Sequence, residues 1–494
     1  MKNRRGFTLI EVMAAVLILT SIFLVSFPVL TNTLKNNKEI REEKQKENVI
    51  LAAKTYINMY KDEFSFFTGN ILSIDVLKMV EEDLIDDDYG YKYVDCKVKE
   101  DNKLECNLSD TYKISVHLSK GLTPVLYDIE KSNWVVADTN KKWYDYDKQK
   151  WANAVILNNG VSKNVGDSVD VTTEVVGMFV WIPRYEYKIE GTYGKNGINQ
   201  SSPGEIEINF ISNTIKKTSS SDYHIPNAFT FGSEELSGIW VGKFETTGTE
   251  DNPTILPNSE SLRNQTVSLQ FSTAQKFNNY LTDADSHMMK NSEWGAVAYL
   301  SQSKYGKYGN DNYSGVNREI YQNKSSSYYT GNSSGTKETN GTLSQCTYDE
   351  IIDRGNGIGS CGGGASTTGN ITGIYDMSGG AYENVMALYM KEDTDYDFGA
   401  TSTGNYAGFT SLIPEKYYDY YINSDILKAC SNSICFGHAL SETNNWYNSE
   451  STFLDVDTPW LVRSSDYNQD FGIFNYKNSL GDASIQNSFR IVLK

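Results

Sequence analysis

Histidine is scarce in this chain. There are four in 494 residues, His117, His224, His287 and His438, scattered too widely to suggest a zinc site by spacing. No His-Glu-x-x-His pair and no Gly-x4-Gly-Lys-Ser/Thr loop occurs, so two common signatures of metal and nucleotide enzymes are missing. Basic residues are outnumbered: 45 Lys and Arg stand against 63 Asp and Glu, a net charge of −18. That excludes an ordinary nucleic-acid partner, which needs clustered cations against phosphate. Long apolar runs are missing too, except for one at the N-terminus, and residues 303–370 show little periodicity of any kind.

What is present is a chain of about three domains' length with 39% hydrophobic residues, enough for real cores. An acidic, polar exterior suits an exported body. The second half is dense in Tyr, Gly, Asn and Ser. Binding loops use that palette because Tyr supplies rigid amphipathic contact and the small polar residues supply adaptable hydrogen bonds. The six cysteines, Cys96, Cys106, Cys346, Cys361, Cys430 and Cys435, fall in three sequence-local pairs. An even count in an exported chain reads as disulfides, with the pairing among the last four left open.

The apolar run extends from Phe7 to Leu30, 24 residues. As a helix at about 1.5 Å per residue it spans about 36 Å, enough to cross a bilayer. Lys2, Arg4 and Arg5 hold its start in the cytoplasm, so the bulk of the chain lies outside. An ordinary secretory signal has a shorter apolar core. Glu11 is the one charge inside the run. A carboxylate there is costly and needs a cationic partner.

Arg5-Gly6-Phe7-Thr8-Leu9-Ile10-Glu11 resembles the class III signal of type IV prepilins and pseudopilins. The resemblance implies cleavage between Gly6 and Phe7 by a prepilin peptidase, and N-methylation of Phe7. It also implies that Glu11 pairs with the Phe7 amine of a neighbouring subunit during assembly. Pro28 stands where that family often carries a helix-loosening proline. The implied partners are other pilin subunits and the pilus or secretion assembly machinery. The implied location is a single-pass membrane precursor that matures into a cell-surface filament. Beyond a leader of residues 1–6, one helix is expected over 7–62, with 7–30 as membrane span and later filament core. Its second half is amphipathic, since Val49, Ala52, Ala53, Tyr56 and Tyr60 recur at helical spacing. Residues 63–120 read as a small pilin-like β region, with strands near Tyr91–Val98 and Tyr112–Leu118 and a hairpin stapled by Cys96 and Cys106.

Residues 121–174 read as an aromatic-rich β linker. Asp145 and Asp147 alternate with Tyr, so on a strand both carboxylates share a face, where a solvated surface is favoured over an acid/base pair. Residues 175–494 read as the head. Gly177–Pro183 and Gly238–Glu245 look like buried strands. Ser272-Thr273-Ala274-Gln275 has the form of a capping box, and Trp294, Val297 and Ala298 mark one face of a second helix. Gly357-Ile358-Gly359-Ser360-Cys361-Gly362 has the form of a dinucleotide fingerprint. No helix pattern follows it, so it reads as a disulfide-tied loop.

The ordered landmarks Gly238–Val241, Asn291–Trp294, Gly373–Val385, Trp460–Ser465 and Ser488–Leu493 resemble the formylglycine-generating-enzyme-like branch of the C-type-lectin fold. The resemblance implies an irregular α+β head. The enzymes of that branch bind copper through two cysteines in their C-terminal segment. This chain has no cysteine after Cys435, so the oxidase reading fails and a non-enzyme is expected. No cofactor is expected, no metal ligand can be named, and the many Asp and Asn oxygens leave room for structural calcium. The same fold elsewhere displays variable binding surfaces, and the segment 464–478 looks like one. Asp466, Tyr467, Asn468, Asn475, Tyr476 and Asn478 are its candidate contacts to an extracellular glycan or protein. The whole reads as a minor or tip pilin-like subunit with an adhesive head, the alternative being a pseudopilin of a secretion or DNA-uptake machine.

Overall fold

The computed structural model describes residues 10, 13, 16, 40–61, 64, 66–110, 112–189, 204–213, 216, 218–307, 320–334, 346–353, 358–360, 362–390, 398, 407–431, 434–444, 446, 449, 451–469 and 471–494. Gly6, Phe7, Glu11 and Pro28 lie outside that set, as does most of the apolar run. Among the described residues no helix is long and apolar enough to cross a membrane.

The described helix over residues 40–59 buries Val49, Ala52, Ala53, Tyr56 and Ile57. That spacing makes a single stripe along the helix, as the sequence periodicity requires. The stripe covers a three-stranded antiparallel sheet of Ile71–Asp75, Tyr93–Val98 and Leu104–Ser109. Tyr93–Val98 alternates half-buried and buried residues along its length, the signature of a strand with one face on a core. Its Cys96 lies directly opposite Cys106 and is bonded to it. A short helix, Val76–Glu81, starts where the Asp75 carboxylate accepts the Leu77 amide at 2.9 Å. Residues 112–118 form no strand, contrary to the alternation there. They run instead along the seam with the head, where Trp240 Nε1 donates to the His117 carbonyl at 2.6 Å and Tyr144 OH to the Ile114 carbonyl at 2.8 Å.

An eight-stranded antiparallel sheet forms the base of the head. In spatial order its strands are Ser286–Met288, Ile491–Leu493, Gly238–Gly242, Val175–Pro183, Asn153–Leu157, Leu122–Asp128, Asn133–Val136 and Ser168–Val169. Residues 121–174 are thus no linker. They supply four of the eight strands, because Trp134, Trp151, Ala154 and Val155 are core residues of this sheet. Val175–Pro183 is buried at all nine positions and sits at the centre. Asp145 and Asp147 flank and enter a 3-10 turn at Tyr146–Lys148, so no strand face unites them, and Lys142 pairs with Asp145 at 2.8 Å.

The second sheet joins Asp419–Tyr421, Tyr382–Tyr389, Trp460–Arg463 and Tyr476–Ser479, with Asn487–Phe489 also paired to the start of Tyr382–Tyr389. The helix Asn291–Ser301 is buried at every residue, not on one face alone. Its start is held by the Glu293 carboxylate, which accepts the Lys290 amide at 2.7 Å. A Cβ on Gly295 would stand 1.9 Å from the Gly437 carbonyl oxygen, so only glycine lets the two segments meet. The other helix, Val267–Ala274, begins earlier than the Ser272 motif suggested. Thr266 caps it, and Ser272 Oγ turns back to the Leu269 carbonyl. The stretch that mimics a dinucleotide fingerprint contains a strand, Ile358–Ser360, paired with Ile351–Asp353 and followed by a 3-10 turn at Gly362–Ala365. Cys430 is bonded to Cys435. Cys346 is also disulfide-bonded, and Cys361 lies outside the described residues.

Candidate functional site

A set of buried charges anchors the end of the second sheet. Glu383, second in the strand Tyr382–Tyr389, lies opposite Arg463, and its two carboxylate oxygens meet the Arg490 guanidinium with both residues fully buried. Arg490 also donates to the carbonyls of Gly242 and Tyr375, each at 2.9 Å, so one side chain ties both sheets and the loop before Tyr382. Asp376 accepts from Asn323 Nδ2 and the Gly331 amide at 2.9 Å. Glu245 accepts from Ser261 Oγ and from the Ala381 amide. Glu383 pairs with the Arg490 guanidinium, Asp376 feels its charge, and Glu245 is crowded by the other two carboxyls. Burial raises all of them above the usual carboxylate range, Glu383 to about 7.

Lys243 is fully buried near this set. Its three donors are filled by Asn153 Oδ1 and the carbonyls of Ile371 and Gly373, at 2.6–2.9 Å. Arg463 clamps the 430–444 loop by donating to Asn291 Oδ1 and to the carbonyls of His438 and Ala439. Glu442 pins the same loop from the other side through Tyr187, Tyr299 and the Gly437 amide. Each of these groups has its hydrogen bonds committed inside the protein. Their arrangement therefore serves rigidity.

Over this base lies the segment singled out for binding, and burial divides its candidates. Asp466, Asn475 and Tyr476 are about 1% exposed. Asp466 accepts from the Tyr467 amide at 2.8 Å and from Gln486 Nε2 at 2.7 Å, and it also bonds Tyr328. Asn475 donates to the Ser464 carbonyl at 2.7 Å. Tyr476 donates to Asn444 Oδ1 at 3.1 Å, with Arg463 beside its ring. These three side chains are buried and hydrogen-bonded within and around the loop. Asn478 is half-buried, and its amide is spent on the Phe453 carbonyl. Tyr467 and Asn468 reach the surface.

Five residues that sequence reasoning missed complete the face. Tyr328 meets the Tyr467 ring edge-on at 5.1 Å, and Arg263 stacks 3.9 Å from the Tyr328 ring centre. Tyr382 donates to Gln469, and Lys477 lies over the Tyr382 ring. Lys477 was findable, because strand alternation puts it opposite the buried Tyr476. Tyr328 was not, being 139 positions from Tyr467 with only tertiary folding to unite them. A Gly-x-Ser-x-Gly string occurs at 331–335. Its Ser333 is buried, and among the described residues its Oγ has no hydrogen-bond partner. Among the described residues no group of three or more His, Cys, Asp or Glu is placed to hold a metal ion.

Residues 1–27 match the family model of the prokaryotic N-terminal methylation motif. The N-terminus is type IV prepilin-like. The match spans Gly6, Phe7 and Glu11 and stops one residue before Pro28. No curated protein matches the chain.

Proposed function

We propose that the protein is a minor or tip subunit of a type IV pilin-like surface filament, and that its head binds an extracellular ligand. The observation that carries the first half is the prepilin-like N-terminus with its lone acid, Glu11, inside the apolar run. In this reading the precursor is anchored by residues 7–30 with its C-terminus outside, and is cut after Gly6 and methylated at Phe7. It then joins the filament through Glu11 and the Phe7 amine of a neighbour, with Pro28 loosening the helix. A head of residues 121–494 is too bulky to repeat at every position of a helical filament, which favours a minor or terminal place. The head is read as lectin-like and non-catalytic, because the C-terminal cysteine pair of the related enzymes is missing from its sequence. Support for binding comes from the surface-reaching Tyr467 and Asn468 on a base of committed buried charges.

Glu11→Ala tests the assembly role. Processing of the precursor is expected to persist while the protein disappears from sheared surface fibres. Wild-type amounts of the variant in those fibres would refute the role. A pseudopilin would share this N-terminus, and finding the wild-type protein only at the cell envelope, never on extended fibres, would favour that alternative.

A further inference from the structure

Lys477 is an anomaly. Acids are abundant in this chain, and the head provides partners for its sheltered cations. Arg184 pairs with Glu235 at 2.7 Å, Lys416 with Asp285 at 2.8 Å, Lys163 with Glu174 at 2.5 Å, and Arg490 with Glu383. Lys243 has no acid beside it but has three oxygen acceptors. Lys477 has neither. It is half-buried on the strand Tyr476–Ser479, with its ammonium 3.1 Å from the centre of the Tyr382 ring. Among the described residues it has no hydrogen-bond acceptor and no ion-pair partner. Among the described residues the acid whose charge reaches it is Asp466, which is turned to Tyr467, Gln486 and Tyr328.

A ring face attracts the charge but leaves the N–H donors of the ammonium unfilled. Sheltering such a group from water is unfavourable, and here burial lowers the ammonium to about 8. An incoming anion would supply the missing acceptor and recover that cost. The groups around it narrow the ligand. Peptide recognition draws on apolar anchors, a free sheet edge or clustered arginines, and the outer side of the strand that carries Lys477 is already bridged at Tyr476 by Ser451 and Thr452. Tyr467, Asn468 and Gln469 offer instead a phenol ring and two amides, each amide able both to donate to and to accept from sugar hydroxyls.

We propose that Lys477 receives the carboxylate of an acidic glycan, with Tyr467, Asn468 and Gln469 holding the rest of the sugar. This rests on reading the face as a ligand site. The test uses the full-length protein in detergent micelles on an array of sialylated and uronate glycans, each beside its carboxyl methyl ester, with polyglutamate as the peptide probe. Free acids are expected to bind, with their esters about ten- to hundred-fold weaker, and Lys477→Gln should bring the acids down to the ester level. Lys477→Arg should keep most of the binding. Equal binding of acids and esters, unchanged in Lys477→Gln, would overturn the proposal. If Tyr467→Ala then still abolished binding, the face itself would stand. If neither variant changed binding, the face would fall with the proposal. Binding of polyglutamate and of no acidic glycan would overturn the glycan class.

Discussion

Glu442 should make the head less stable as pH rises, and replacing it with glutamine should remove that loss. The carboxyl is 3% exposed. Tyr187 OH lies 2.8 Å from both of its oxygens, Tyr299 OH lies 2.8 Å from one, and the Gly437 amide lies at 3.0 Å. No cation is among these partners. Burial therefore dominates and pushes the group up to about 7 from an ordinary 4.5, against the opposing pull of the three hydrogen bonds. Between those values the folded protein keeps its proton and the unfolded chain has lost it. The stabilisation is thus complete below pH 4.5 and is lost as pH rises through 7. At about 1.4 kcal/mol per pH unit, the loss comes to about 3 kcal/mol. Glu442→Gln keeps the shape and cannot ionise. The unfolding free energies of wild type and variant should diverge by that amount between pH 4.5 and 8, the variant becoming relatively more stable. Urea titration of the whole chain followed by tryptophan fluorescence is a suitable assay, since all eight tryptophans lie between Trp134 and Trp460, within the head. Parallel pH profiles for the two proteins would refute the reasoning.

Two further outcomes follow from the packing. Arg490→Met leaves Glu383 without its ion-pair partner and Asp376 without a neighbouring positive charge, and strands two carbonyls. It should cost about 3–5 kcal/mol in the same assay, and adding Glu383→Gln should return part of that. Gly295→Ala drives a methyl into the Gly437 carbonyl, so a loss of about 1–3 kcal/mol is expected, with loosening of the 430–444 loop visible by hydrogen exchange.

How legible all this was depends on the range of the interactions. Val49, Ala52, Ala53 and Tyr56 announced an amphipathic helix because their spacing is local, and the helix is there. Cys96 and Cys106 announced a hairpin, and they face each other across one. The Tyr112–Leu118 alternation misled because a strand needs a partner edge, and that segment spends its carbonyls on Trp240 and Tyr144 instead. The 121–174 stretch was legible as β but not as half of the large sheet, since its neighbours in that sheet include residues near 180. In the candidate site, residue type suggested Asp466, Asn475 and Tyr476. Composition cannot tell a side chain that greets a ligand from one that closes a loop.

The sequence by itself determined the prepilin-like character of the N-terminus. That signature is linear, so residues 1–27 carry it without any fold. It determined the α+β class as well, through periods of about two and 3.6 residues. Only the tertiary structure decided which polar residues are spent and which are left over. Asp466 and Lys477 are eleven positions apart, and nothing in their spelling separates them. One is closed in by Gln486 and Tyr328, while the other is left over a tyrosine ring with its donors unfilled, because hydrogen-bond satisfaction depends on what folding brings near.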